Sequence, residues 1–358
     1  MYINRINNLR KMMCDKNISA VYVSSAENVF YLSGFTGFGD GRLLITKESA
    51  WIITDSRYTL QTAQQCPDYK LISGSCENVG ALESVLTSEK ISVVGFENEV
   101  ISYRDFESLK STYGSVEFIG IGNFFTQTRD VKDAIEFGFV SRACEIACKS
   151  LEEVLPLIKP GVCEFDIATE LEYRMKRNGA TDRAFETIVA SGARSALPHG
   201  AASMKKIETG DAVTIDFGCK YNNYCSDMTR TFFVGKPCDE LAKIYNVVYD
   251  AQIAALAGYK EGITGKELDD ISREIIRKAG YGECFGHSLG HGVGIEVHEG
   301  ATIGPRNENV IKNNTIFSIE PGIYVENLGG VRIEDLVFAK SDSLVNFTDR
   351  FEKKMLVL

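Results

Sequence analysis

Apolar and polar positions alternate with two different periods along the chain. Ile3 to Asp15 carries the spacing of an amphipathic helix. Ala20-Val21-Tyr22-Val23 is a short continuous apolar run, the pattern of a buried strand. Residues 41–46 and 50–54 are strand-like runs flanking the turn Lys47-Glu48-Ser49, which predicts a hairpin. Val93 to Glu97 predicts another strand and Tyr103 to Tyr113 another helix. Between the first strand and the hairpin, Glu27 to Phe38 is aromatic and glycine-rich and reads as a packed connection or a substrate or dimer contact. These elements define an α/β domain over residues 1–125. A polar, charged stretch from Thr126 to Asp133 then leads into a long helix, Val131 to Leu157, and a second domain over 126–358.

The second domain repeats itself. Lys159-Pro160-Gly161 opens a helix that ends at Asn178-Gly179, and Lys260-Glu261-Gly262 opens one that ends at Ala279-Gly280. Each helix closes on a glycine, the residue suited to a left-handed stop. Strands follow at a similar offset: Val213-Thr214-Ile215-Asp216-Phe217-Gly218 resembles Phe317-Ser318-Ile319-Glu320-Pro321-Gly322. Each strand is followed by a turn and a returning segment with a further acid, Asp227 in one copy and Glu334 in the other. Two halves of helix, helix and hairpin predict a pseudo-symmetric α/β unit.

Composition narrows the class. With 358 residues, 44% hydrophobic and 25% charged, the chain is an ordinary globular protein of two-domain size. Its net charge of -10 argues against a nucleic-acid surface. No apolar run approaches the ~18 residues of a membrane span, and the N-terminal stretch lacks the apolar core of a signal peptide. The ten cysteines are scattered, without a Cys-x-x-Cys pair. Cys144 and Cys148 read as core thiols, and free thiols point to a reducing compartment, the cytoplasm.

The candidate chemistry lies in acids and histidines. Three of the four histidines fall between Gly286 and Glu299, among Gly286, Gly290, Gly292 and Gly294; the fourth is His199. Those glycines are expected to permit positive φ and close approach. Along a strand, Val213, Ile215 and Phe217 share one face and Asp216 takes the other. Asp216, Asp227, Glu320 and Glu334 are therefore expected to project from apolar strands toward one side. Four carboxylates on one buried surface repel each other unless cations neutralise them. Carboxylates with an imidazole suit manganese, cobalt, iron or zinc. Five such ligands suggest two ions about 3.5–4 Å apart, with hydrolysis as their chemistry.

The run from His287, His-Ser-Leu-Gly-His-Gly-Val-Gly-Ile-Glu-Val-His-Glu, resembles the proline-peptidase signature of the pita-bread metallopeptidases, which include prolidases, aminopeptidase P and methionine aminopeptidases. The resemblance extends over essentially the whole chain. It implies Asp216, Asp227, His291, Glu320 and Glu334 as metal ligands, with Asp227 and Glu334 touching both ions, of which manganese is favoured. It implies Glu320 as proton acceptor for the attacking water, and His199 and His298 as groups that meet the substrate carbonyl and stabilise the intermediate. His287 and Arg332 would line the site, Arg332 binding a carboxylate or orienting an acid. Tyr31-Leu32-Ser33-Gly34 and Thr54-Asp55-Ser56-Arg57-Tyr58 resemble the creatinase-type amino-terminal domain, which methionine aminopeptidases generally lack. The implied function is hydrolysis of peptides with proline at the second position, by a homodimer. The resemblance to the short bacterial Xaa-Pro aminopeptidases, including the segment Asn223 to Arg230, tilts the expectation to an Xaa-Pro aminopeptidase over the alternative, an Xaa-Pro dipeptidase. A metal-independent creatinase-like hydrolase and a non-catalytic binding protein are the remaining readings, and the complete ligand set argues against both.

Overall fold

The computed structural model describes residues 2–74 and 82–358. Cys76 lies outside the described residues. The chain divides into two compact units, Met1–Phe125 and Thr126–Leu358.

In the first unit, α1 (Tyr2–Asp15) leads to β1 (Ala20–Val23), whose four residues are all buried. Then come α2 (Ala26–Ser33), β2 (Arg42–Thr46), β3 (Ala50–Thr54), α3 (Thr59–Gln65) and β4 (Lys70–Ser73). They are followed by α4 (Glu83–Ser88), β5 (Val93–Phe96), α5 (Tyr103–Thr112) and β6 (Glu117–Gly120). The six strands form one sheet in the order β4-β3-β2-β1-β5-β6. The predicted hairpin is β2–β3, paired antiparallel, while β5 and β6 add in parallel. The stretch read as a loop contains a helix, α2. The Ser25 side chain caps its start by accepting from the Asn28 amide, and Gly34 ends it at φ +78°. Its aromatic residues mask the helical period because nearly every position is buried, leaving no polar face to show it.

α6 (Phe124–Asp130) crosses the division between the units. α7 (Ala134–Val154) starts three residues later than the hydrophobic pattern suggests, because Asp133 caps it in a capping box with Glu136. α7 packs on α8 (Glu164–Arg177). β7 (Asp182–Arg183), β8 (Ile188–Ser191), β9 (Ala212–Phe217), β10 (Cys219–Tyr221), β11 (Tyr224–Cys225) and β12 (Met228–Phe233) follow. β8, β9 and β12 form an antiparallel sheet with β9 in the middle. The second half restarts with the packed pair α9 (Asp239–Gly258) and α10 (Gly265–Lys278). β13 (Gly290–His291) and β14 (Thr302–Ile303) pair with each other. β15 (Ile316–Ile319), β16 (Gly322–Val325), β17 (Gly329–Arg332), β18 (Asp335–Lys340) and β19 (Ser343–Asn346) complete the chain. β15–β18–β19 is an antiparallel sheet and β16–β17 a hairpin.

The helix pair followed by an antiparallel sheet therefore occurs twice, each with its own core. Ile146, Leu151, Leu171, Ile215 and Phe217 are buried in the first, and Ile244, Val248, Leu268, Phe317 and Ile333 in the second. Cys144 and Cys148 are core thiols, as expected. Both glycine stops hold: Gly179 has φ +112° and Gly280 φ +93°. Mixed α/β architecture is thus established for both units, and no helix among the described residues is long and apolar enough to cross a membrane.

Candidate metal centre

The four acids converge, though not all from within strands. Asp216 lies in β9, opposite Thr229 on β12. Asp227 immediately precedes β12, Glu320 immediately follows β15, and Glu334 sits between β17 and β18. The pairing breaks at these three acids, so each carboxylate leaves a strand end instead of a sheet face. Asp227, His291 and Glu334 each present a ligand atom within 4.8 Å of the others. His291 Nε2 stands 3.7 Å from Asp227 Oδ2 and 3.3 Å from Glu320 Oε1. Asp216 Oδ1 is buried and without a hydrogen-bond partner among the described residues.

Electrostatics sets this cluster apart from a structural network. Burial pushes the Asp227 carboxyl well above the ordinary range, and Glu334, Asp216 and Glu320 add to it. Burial likewise raises Glu334, with Glu320 and Asp216 reinforcing the shift. Asp216 is raised by burial despite Arg332. Burial also works upward on Glu320, but the hydrogen bond and charge of His291, with His287 and Arg332, hold it at about 2. Buried acids that repel one another are disfavoured unless cations compensate them. The donor chemistry fits a hard divalent ion. His291 Nδ1 faces the Gly292 carbonyl at 3.3 Å; a proton there leaves Nε2 free to offer its lone pair toward the acids. Three carboxylates, one imidazole and the unpartnered oxygen of Asp216 complete an O/N set of the expected kind.

The surrounding chain holds these groups in place. Thr229 Oγ1 donates to Glu334 Oε2 at 2.7 Å, and Ser318 Oγ to Glu320 Oε1 at 3.0 Å. The neighbour of Glu334, Asp335, is fully buried and accepts from Arg230, Gln252, Asn346, Thr348 and Lys353 at 2.6–2.8 Å. The histidine strand is tied to α10 by Asp269, which accepts from the Leu289 amide at 2.9 Å, and by Arg273, which donates to the His287 carbonyl at 2.8 Å. None of Gly286, Gly290, Gly292 and Gly294 takes positive φ. The close approach is what they supply: a Cβ on Gly290 would collide with the Ser318 carbonyl, and one on Gly292 with the Glu299 carbonyl.

Arg332 is 3% exposed and its fork is fully engaged. Nη2 donates to Asp216 Oδ2 at 2.6 Å, Nη1 to the Tyr324 hydroxyl at 2.8 Å and the Pro198 carbonyl at 3.2 Å, and Nε to Thr229 Oγ1 at 3.1 Å. Of the two expectations for Arg332, the geometry is that of orienting an acid. His287 Nε2 lies 3.0 Å from the same tyrosine hydroxyl. Tyr324 was not singled out in the sequence, yet it links Arg332 to His287. Its signal was available: Gly322 pairs with Arg332 in the β16–β17 hairpin, so Tyr324 is the same-face diagonal neighbour of Arg332. His298 stands edge-on to His291, ring centroids 4.0 Å apart. Burial, then the nearby His291, lowers the His298 pKa; burial lowers that of His287.

All these groups line one cleft of about 900 Å³. His199, His287, His298, Arg332 and the five expected ligands are on its wall, with Phe185, Ile188, Pro198, Val297 and Tyr324 as the apolar part. A cleft of this size admits a small peptide.

A carboxylate–imidazole cluster of this composition, on the wall of a peptide-sized cleft between two repeated helix–sheet halves, suits a metal-dependent hydrolase. The chain belongs to metallopeptidase family M24, whose model matches residues 139–341; the Creatinase/Prolidase N-terminal domain matches residues 5–131. An Xaa-Pro dipeptidase of Pyrococcus furiosus is 39% identical over 98% of this chain and 99% of its own. A solved Xaa-Pro dipeptidase from Bacillus anthracis superposes with a TM-score of 0.96 at 38% identity, covering all of both chains. A solved X-Pro aminopeptidase from Thermotoga maritima superposes at 0.93 with 40% identity, covering 99% of each. The protein is a metallopeptidase with the pita-bread catalytic fold, and its family implies divalent metal ions.

Proposed function

We propose that the protein is an Xaa-Pro dipeptidase that works with two divalent ions, manganese being favoured and cobalt, zinc or iron alternatives. This replaces the aminopeptidase preference drawn from the sequence. Dipeptidase relatives match from end to end, as does a solved X-Pro aminopeptidase, but the dipeptidases are the more numerous among the relatives compared, and the eight residues Asn223 to Arg230 do not outweigh them. The observation that carries the reading is the convergence of Asp216, Asp227, His291, Glu320 and Glu334 at the base of the cleft. Those five side chains would hold the ions. When bound, such ions supply Lewis acidity to a carbonyl and make water acidic near neutral pH.

The chain's own residues do the rest. Glu320, held ionised beside His291, is in the state that accepts a proton from the attacking water. Burial keeps His287 and His298 neutral at neutral pH, so each imidazole can donate from one nitrogen and accept at the other. His298 and His199 face the cleft, where they meet the substrate carbonyl and the charge that develops on it. Arg332, anchored by Tyr324, orients Asp216. Phe185, Ile188, Pro198 and Val297 offer an apolar wall to a proline ring, which brings no amide hydrogen and needs no acceptor. The reading places the enzyme in the cytoplasm as a homodimer, acting on peptides and on neither nucleic acid nor membrane; light scattering on the purified protein tests the dimer.

The deciding assay compares Met-Pro, Met-Pro-Ala and Met-Ala with the same metal. Fast release of Met from Met-Pro, with Met-Pro-Ala left intact, is expected. Efficient cleavage of Met-Pro-Ala would restore the aminopeptidase reading, and preference for Met-Ala would remove proline specificity altogether.

A further inference from the structure

His199 has no hydrogen bond of its own to hold its ring among the described residues, and it is exposed at the cleft wall. What places it is the loop from Ser191 to Ser203, and both ends of that loop meet at one buried carboxylate. Glu164, the first residue of α8, is wholly inaccessible. Its Oε1 accepts from the Ser191 amide at 2.7 Å and the Ser191 hydroxyl at 2.8 Å. Its Oε2 accepts from the Ser203 hydroxyl at 2.6 Å, the Ser203 amide at 3.2 Å and the Arg194 guanidinium. Arg194 reaches onward and donates to the Ala201 carbonyl at 2.8 Å, two residues beyond His199. The middle of the loop is then pressed against the metal half. The Pro198 carbonyl accepts from Arg332 at 3.2 Å, and Ser195 Oγ accepts from the Gly330 amide at 2.8 Å.

We propose that Glu164 is a positioning residue for His199. Its carboxylate draws the two ends of the loop together, and Arg194 carries that constraint to the far side of the histidine. The arrangement needs a carboxylate. Five donors converge on two oxygens, and an amide would turn its NH2 toward one set of them. The first turn of α8 also suits negative charge there. Glu164 touches neither the five acid and imidazole ligands nor, by these contacts, any other wall of the cleft. The inference rests on the reading that His199 meets the substrate, and the experiment separates the two.

The test is a double-mutant cycle on Met-Pro hydrolysis by the metal-loaded enzyme, with bound metal measured for each variant. Glu164→Gln is expected to lower kcat/KM about ten-fold, the scale of a modestly misplaced contact, with metal content unchanged. In a His199→Ala background the same change should alter kcat/KM by less than about two-fold, because its target is gone. Ser203→Ala, which removes the hydroxyl bond at one end of the loop and leaves the amide and the rest of the carboxylate's donors in place, should show a smaller loss with the same dependence on His199. The inference is overturned if Glu164→Gln and Ser203→Ala leave kcat/KM unchanged, or lower it equally with and without His199. A fully active His199→Ala would sink the functional reading of that histidine as well. A His199→Ala loss with additive Glu164→Gln would sink only the role given to Glu164.

Discussion

At the scale of single residues, the two imidazoles of the His291–His298 pair should separate cleanly. His298→Ala is expected to retain its metal and lose about 10²–10³ in kcat, the usual effect of removing one group that stabilises developing charge. His291→Ala should weaken metal binding itself, since its Nε2 stands among the carboxylates. Metal analysis beside steady-state kinetics distinguishes them, and exchange of the two phenotypes would reverse the assignment. Asp227→Ala should lose both metal and activity. The convergence of these residues was legible in the sequence because acids recur at like positions in two copies of one pattern, and because histidine is otherwise so rare. Tyr324, Glu164 and Asp335 were not singled out. Tyr324 was open to reading from the hairpin register it shares with Arg332, but Glu164 and Asp335 act through partners far away in the chain, Glu164 through Ser191 and Ser203, Asp335 through Arg230, and no local period records such contacts.

At the scale of elements, the turn after β13 is tied to the segment that precedes α7. The Glu299 side chain is 4% exposed and pairs with Arg129 and, at 3.2 Å, with Lys132, themselves 5% and 0% exposed. Burial opposes its ionisation, but Lys132 and Arg129 outweigh that and hold the carboxyl below its ordinary 4.5. A depressed acid stabilises the fold fully above the unfolded value and loses that contribution as pH falls through the folded one. Acidification below about 4.5 should therefore weaken the native protein in part through Glu299. Glu299→Gln should flatten this acid limb and, by taking the buried Lys132 ammonium's acid away and leaving Arg129 with Glu296, lower stability at pH 7 by about 3–5 kcal/mol. Urea midpoints across pH 3–7 report both effects, and an unchanged acid limb would refute the assignment. The sequence already displayed the helices and hairpins with a polar face or a glycine stop. It concealed α2, where burial on all sides removes the period.

At the scale of the whole molecule, the proposed ion site draws its side chains from two halves that each own a separate core. Chelation should therefore lower the melting temperature of the catalytic unit as well as abolish hydrolysis. Restoring an ion at a hundred times its Kd should return about 2.7 kcal/mol by mass action. Calorimetry with and without chelator reads this, and an unchanged transition would mean that the halves hold together unaided. The division of the proposed ligands has one further consequence, for biosynthesis. Asp216 and Asp227 come from the first half, His291, Glu320 and Glu334 from the second. A chain growing on the ribosome exposes two acids long before their partners exist, and two carboxylates without an imidazole are a weak trap for any ion. On the proposed assignment the full donor set exists only once Glu334 has been made, so metal loading is expected to follow synthesis of the second half, which a pulse of ion added to stalled and released chains would test.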